Sequence, residues 1–322
     1  MNAIYSHRGL TDPDFITKLK NSKFLLEVEN NENLVVGIRD EYINIYHNCD
    51  SLAKIEFKKG EIKTSVGGYY VGKKGTQIIS EDEWAKNLVD TLIANSELRN
   101  TNEKKAQSQL FIKNNQNPDA LYFCIDLEYT KTSENWRFDI IAIEKASPHN
   151  VALIELKYGS KAIGGKSGIR KHIIDYYEFH KENKYSLLKT ELIDIIKSLS
   201  ALGIDIPDEI KDLKSEDLAH TPTYYFITLD NNRETRRHST PQMSMSGYLF
   251  TNKLWGCKRI SDSVKYEGDC YSLIRNDKTF NPTFLFSDVT LDNIGAIDNI
   301  VNSRAYQFKC TLWEPQVNLT QP

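Results

Sequence analysis

No run in this chain approaches the roughly 18–20 apolar residues that span a bilayer. Its opening, MNAIYSHRGLTDPDF, has neither the basic nor the apolar stretch of a secretion signal, so a cytoplasmic protein is expected. Cysteine is sparse. Cys49, Cys124, Cys257, Cys270 and Cys310 include no CxxC pair, which argues against a disulfide framework or a cysteine zinc site and for reduced thiols. The histidines show no HxxxH or His/Cys metal spacing. There is no GxSxG elbow and no Cys/His arrangement for a covalent nucleophile. Repeats and low-complexity tracts are absent. So is any overall excess of positive charge: the net charge is −3, and nucleic-acid binding requires a local basic face.

What is present is ordinary globular composition, 40% hydrophobic and 26% charged, over 322 residues, a length that suggests two or three domains. Short apolar runs at 24–29, 33–38, 41–46, 52–57 and 61–66, with turn-rich separators, predict a small antiparallel meander within a β-rich module, 1–78. Tyr42, Tyr46, Tyr69 and Tyr70 there offer either stacking surfaces for bases or aromatic packing across strands. Ser80 with Glu83 forms a capping-box pattern that starts a helix, and a second helix is expected at 102–115. LYFCIDLEYT, RFDIIAIEK and VALIELKYG then read as three hairpin-connected strands. A glycine-rich loop follows, then the helical IRKHIIDYYEFHKEN, a helix at about 186–202 and the strand TYYFITLD. These elements form a core over 79–245. GYLF, PTFLF and QFKCTLW give mixed signals in a C-terminal extension, 246–322, expected to pack on that core.

VALIELKYG holds the most informative pattern. An unbroken apolar run ends in Glu155 and Lys157, charged residues on one face of a strand otherwise suited to a dry sheet. Asp139 opens the preceding strand. A hairpin centred near Pro148 would put residue 139 opposite residue 157, beside the Glu155–Lys157 pair. Two carboxylates converging at a strand end make a hard-oxygen site suited to Mg²⁺, which takes one or two protein carboxylates and keeps several waters. The adjacent ammonium offsets their charge and can orient or help deprotonate a water.

Asp-x₁₅-Glu-x-Lys on a hairpin followed by a helix resembles the PD-(D/E)xK nuclease superfamily, over about residues 80–230 and in the order helix, three strands, helix, strand. Phe138 stands where the eponymous proline would be. The resemblance implies an α/β (α+β) fold, a restriction-endonuclease-like mixed sheet flanked by helices. It also implies a metal-dependent phosphodiesterase, an endonuclease rather than an exonuclease, using Mg²⁺ or Mn²⁺ and leaving 5′-phosphate and 3′-hydroxyl ends. Asp139 and Glu155 would bind metal and Lys157 would assist the attacking water. An auxiliary acid is expected on the preceding helix, with Glu103 chosen over Glu97 and Glu83. Glu128 on the first strand is expected to come near Asp139 across the TKTSENW loop. DNA is the favoured substrate, restriction or anti-phage defence the favoured setting, and a homodimer one way to cut both strands.

Glu-x-Lys alone is a cheap signal: it recurs at 56, 61, 103, 155, 182 and 209. Asp40, Glu56 and Lys58 even repeat the interval, but Lys54, Glu56 and Lys58 alternate with Ile55 and Phe57 as a solvated face, and no helix follows. GSKAIGGKS nearly fits a phosphate-cradling loop around Lys166, although the glycine spacing is off by one and the strand before it leaves a hairpin. Residues 157–189 hold eight Lys/Arg against three acids, a local +5 that includes Lys161, Lys166, Arg170 and Lys171. Arg233, Arg236 and Arg237 in NNRETRRH add a candidate backbone-contacting loop. His172 reads as a helix-packing or phosphate-contacting residue. The contrasting reading is a catalytically silent module of the same fold that binds nucleic acid or a nucleotide.

Overall fold

The computed structural model describes residues 8–131, 136–159, 169–230, 260–261, 264–265, 274, 276–287, 289–301 and 306–311. The chain begins with two short helices. Asp12 caps α1 (Pro13–Lys20) by accepting from the Asp14 and Phe15 N–H groups, with proline at a first-turn position where it loses no bond. Next comes α2 (Lys23–Glu29), where the alternation FLLEVE predicts a strand. Ser22 decides the matter: its hydroxyl accepts from Leu25 N–H at 3.3 Å and donates to the Leu19 carbonyl at 2.6 Å. Phe24 and Leu25 are buried against the core, whereas Leu26 is left exposed, so only one side of the segment meets apolar surface.

The other four expected strands form, β1 (Val35–Ile38), β2 (Tyr42–His47), β3 (Asp50–Lys58) and β4 (Glu61–Gly67), and an unexpected β5 (Thr76–Ile79) joins them in an antiparallel sheet in sequence order. Ser80 and Glu83 complete a reciprocal capping box at α3 (Glu81–Glu83). A π-helical turn, Trp84–Leu88, then leads into α4 (Val89–Glu97). Thr101 caps α5 (Asn102–Gln116).

The central unit follows: β6 (Tyr122–Lys131), β7 (Trp136–Glu144), β8 (Val151–Tyr158), α6 (Ile169–Lys181), α7 (Tyr185–Leu202), α8 (Asp208–Lys211) and β9 (Thr223–Leu229). The pair β10 (Ile260–Ser261) and β11 (Val264–Lys265) stands apart as a two-stranded ribbon. β12 (Thr283–Ser287), α9 (Ile297–Val301) and β13 (Tyr306–Thr311) close the chain order. The main sheet runs β13-β12-β9-β8-β7-β6. Its β6, β7 and β8 are antiparallel neighbours, while β8, β9 and β12 are parallel. The fold is thus mixed α+β, a small antiparallel sheet beside a mixed main sheet flanked by helices.

Two apolar layers sandwich the main sheet. One joins Ile141, Leu153 and Phe226 to α6, α7 and the meander's Ile43 and Ile55, so the N-terminal sheet and the main sheet share one continuous core. The other joins Ile140, Ile154 and Ile227 to α5 and to Ile297 and Ile300 of α9. Within the segment expected as an extension, β12 hydrogen-bonds to β9 as a strand of the main sheet. The apolar GYLF run lies outside the described residues.

Ser22→Ala is expected to destabilise the protein by about 1 kcal/mol, because the first turn of α2 loses its acceptor. Urea unfolding checks this; an unchanged midpoint would mean that tertiary packing alone holds the helix.

Candidate functional site

The hairpin β7–β8 closes through five residues, with Glu144 N–H donating to the Asn150 carbonyl at 2.9 Å. Its register pairs Ile140 with Ile154 and Ile143 with Val151, which centres the turn on Ser147. Asp139 therefore lies across from Glu155, not from Lys157 as a turn centred on Pro148 would have it. Within the turn His149 adopts a left-handed conformation, φ 52°, and its ring nitrogen Nδ1 sits 3.1 Å from the Glu144 carbonyl. On the other side, β6 pairs Leu127 with Ile140 and Tyr129 with Phe138, so Glu128 faces Asp139. Glu128, Asp139 and Glu155 thus form a row of carboxylates across three adjacent strands, with Lys157 two residues along.

The ladder opens at that row. Glu128 has φ 55°, a left-handed backbone that costs a residue with a Cβ roughly 1–2 kcal/mol and tends to be kept at functional positions. Asp139 Oδ2 accepts the Leu156 N–H at 2.8 Å, a side chain serving a strand N–H. A cavity of about 150 Å³ occupies the opening. Asp139, Glu155 and Lys157 are buried within it, Glu155 completely.

Contacts inside the cavity are ionic and short. Lys157 Nζ lies 2.8 Å from Glu155 Oε1 and 2.9 Å from Glu103 Oε1, so α5 reaches the strand pair through Glu103. His172 Nε2 of α6 stands 3.1 Å from the same Glu155 oxygen, an ion pair when the imidazole is protonated. Arg137 Nη2 meets Glu128 Oε2 at 2.5 Å. Gln107, one helical turn after Glu103, sends Nε2 toward the Leu156 carbonyl at 3.5 Å. Behind α5, Lys104 Nζ pairs with Asp50 Oδ1 at 2.9 Å, and the Cys49 thiol of the β2–β3 turn donates to the Lys104 carbonyl.

Burial pushes the Asp139 carboxyl up to about 7, against the pull of Lys157, the Leu156 N–H and Arg137. Burial first, and then its neighbour Asp139, hold Glu155 well above the usual carboxylate range. Lys157 goes the other way: burial alone would lower it, but Glu155, Asp139 and Glu103 outweigh that and keep the ammonium protonated.

Among the described residues, Glu155 Oε2, Glu128 Oε1 and Gln107 Oε1 around this cavity are buried and have no hydrogen-bond partner. An unsatisfied buried acceptor costs about 1–3 kcal/mol. All three are acceptors, which water or a hydrated cation satisfies and another anion does not. As hard oxygens they suit Mg²⁺ or Mn²⁺, with Asp139 and Glu155 as the carboxylate donors. Among the described residues no group of three or more His, Cys, Asp or Glu side chains is placed to hold a metal ion, so a cation here would rest on one or two protein carboxylates and water.

The structure brings Asp139, Glu155, Lys157, Glu103 and Glu128 to one cavity. Glu97 is engaged instead with Lys105 and Asn48, and Glu83 with its capping box. Glu56 pairs with Lys54 and Lys58 at the surface. Tyr46 and Tyr70 are buried, so of the four tyrosines only Tyr69, exposed, and Tyr42, half-buried beneath Lys54, present ring surface. Arg170 and Lys171 lie on the α6 backbone, with side chains outside the described residues. Lys161, Lys166, Arg233, Arg236 and Arg237 lie outside them altogether. Sequence reasoning missed Gln107, Lys104 and Arg137. Helical spacing from Glu103 was available for the first, and strand alternation from Asp139 for the last. A larger cavity, about 420 Å³, lies between α2, β1, α5 and β6, but its walls are mainly apolar.

No family model matches the chain, and no curated protein or solved structure matches it either. The chemistry of the site is therefore carried by its geometry.

A carboxyl whose folded pKa lies above its unfolded value lets the folded state bind more protons between the two, so stability falls as pH rises through that window. For Asp139 the window runs from about 4, the unfolded value, to about 7. Asp139→Asn, which can still accept from Leu156, is expected to leave the metal-free protein more stable than wild type at pH 8, with the gap closing by pH 4. Melting curves across that range test this; a variant less stable than wild type at pH 8 would mean that the carboxylate is a net stabilising group.

Proposed function

We propose that this protein is a Mg²⁺-dependent nuclease of the PD-(D/E)xK type, hydrolysing phosphodiester bonds in nucleic acid, DNA in preference to RNA, with Mn²⁺ able to substitute. The observation that carries the reading is the row Glu128–Asp139–Glu155 across three strands, with Lys157 beside it in a polar cavity. Asp139 and Glu155 would hold the cation, and Glu128 offers a further unpartnered oxygen. Bound Mg²⁺ supplies Lewis-acid polarisation of the phosphoryl group and an acidified water.

The chain's own residues do the rest. Lys157, kept protonated by Glu155 and Glu103, is a hydrogen-bond donor rather than a base. It serves to orient the attacking water and to stabilise charge developing on a phosphoryl oxygen. Glu103 aims that ammonium, and His172 is placed to fix the Glu155 carboxylate from the opposite helix. A basic face over 157–189 would take the nucleic-acid backbone. Endonucleolytic action with 5′-phosphate products, pairing of two copies to cut both strands, and a role in restriction or anti-phage defence extend the reading by family analogy.

Purified protein is expected to degrade plasmid DNA in millimolar Mg²⁺ and to stop on EDTA addition. Asp139→Ala and Glu155→Ala should abolish cleavage with the fold retained by circular dichroism, and Lys157→Ala should slow it by about 10²–10³-fold. Cleavage that survives EDTA or Asp139→Ala would defeat the assignment; nucleic-acid binding without any cleavage would leave the silent binding module.

A further inference from the structure

Arg39 directly follows β1 in the N-terminal sheet, yet its guanidinium is buried against the main sheet. Nη1 donates to the Ile38 carbonyl at 2.6 Å and to Asp126 Oδ1 at 2.8 Å. Nη2 donates to the Tyr46 hydroxyl at 2.8 Å and to the Leu127 carbonyl at 2.9 Å. Asp126 is equally dry: Oδ1 also takes the Leu127 N–H at 2.9 Å, and Oδ2 takes Arg8 Nη2 at 3.2 Å. The β6 register shifts between Cys124 and Asp126, so the clamp grips the strand where it is irregular. Two residues after Asp126, Glu128 is left-handed and lines the site, with Oε1 unpartnered among the described residues and Oε2 held by Arg137. Gly37 makes room for the clamp, since a Cβ there would stand 2.7 Å from the Tyr46 ring and 3.0 Å from the guanidinium.

We infer that Arg39 is a positioning residue: from the N-terminal sheet it holds residues 126–128 of β6, just past the bulge, in the course that aims the Glu128 carboxylate at the cation site. The inference rests on the metal-dependent reading above. Arg137 holds Glu128 Oε2 from β7, and the Leu127 carbonyl held by Arg39 lies one residue before the left-handed backbone. Lysine cannot replace this fork, because one ammonium cannot hold a carboxylate, a hydroxyl and two carbonyls in fixed directions. The N-terminal sheet thereby becomes part of the site's construction.

The test is Mn²⁺ binding by the full chain, followed by electron paramagnetic resonance, in wild type, Arg39→Lys, Glu128→Gln and the double variant. Removing an outer partner of a metal site commonly weakens binding about 10–100-fold, and a loss of at least tenfold is expected for each single variant. The double variant should bind no more weakly than Glu128→Gln alone, because both changes act through one carboxylate. Arg39→Lys binding within twofold of wild type, or losses that multiply in the double variant, would overturn the positioning role even if the melting temperature falls. If Arg39→Lys does not fold, Tyr46→Phe removes one Arg39 contact and should weaken Mn²⁺ binding two- to fivefold; no change would overturn the inference. Wild type that binds no Mn²⁺ overturns the metal reading itself, a failure distinct from that of the clamp.

Discussion

An ammonium held out of water between two carboxylates organises this molecule. Lys157 could not remain buried without Glu155 and Glu103, since removing one partner of a buried pair leaves an uncompensated charge at a cost of about 3–5 kcal/mol. Glu155 in turn has no reason to stay charged in a sheet of Ile, Leu and Ala unless cations surround it. Around the cavity four carboxyl groups (Glu103, Glu128, Asp139, Glu155) meet three permanent cations (Lys104, Arg137, Lys157). Glu155 Oε2, Glu128 Oε1 and Gln107 Oε1, which have no hydrogen-bond partner among the described residues, are acceptors that a water or a cation would satisfy.

The site exists because three strands fail to pair at one point. One step away, Ile140 and Ile154 are dry, paired and featureless. At the row itself Glu128 turns left-handed and the Asp139 side chain takes a strand N–H, and the space so released is lined by polar and charged side chains. Helices supply the remaining groups from both faces, Glu103 and Gln107 from α5 and His172 from α6. A regular sheet would have brought the same residues close and left no room between them.

The N-terminal sheet reads in the sequence as a separate β-rich module, and its first four strands were legible because alternation and turn residues agree there. Its attachment was not legible. Arg39 reaches Asp126 across 87 positions and Asp50 reaches Lys104 across 54; neither interval leaves a mark in periodicity or composition. The helix α2 was misleading for the opposite reason: FLLEVE alternates like a strand, and only the Ser22 cap with one-sided burial overrides it.

Asp139, Glu155 and Lys157 were recognisable as a unit because charges that end an unbroken apolar run need partners, and the desolvation penalty is the same in any fold. That much belongs to the sequence. Glu103 was chosen among three acids by resemblance, and helix packing is what puts it, rather than Glu97, against Lys157. Tertiary structure alone decided the register, because one residue more or less in a turn moves the pairing without changing the strand pattern. It also decided which side chains from distant elements close the cavity, because long-range contacts depend on how layers pack and not on any local preference of the chain.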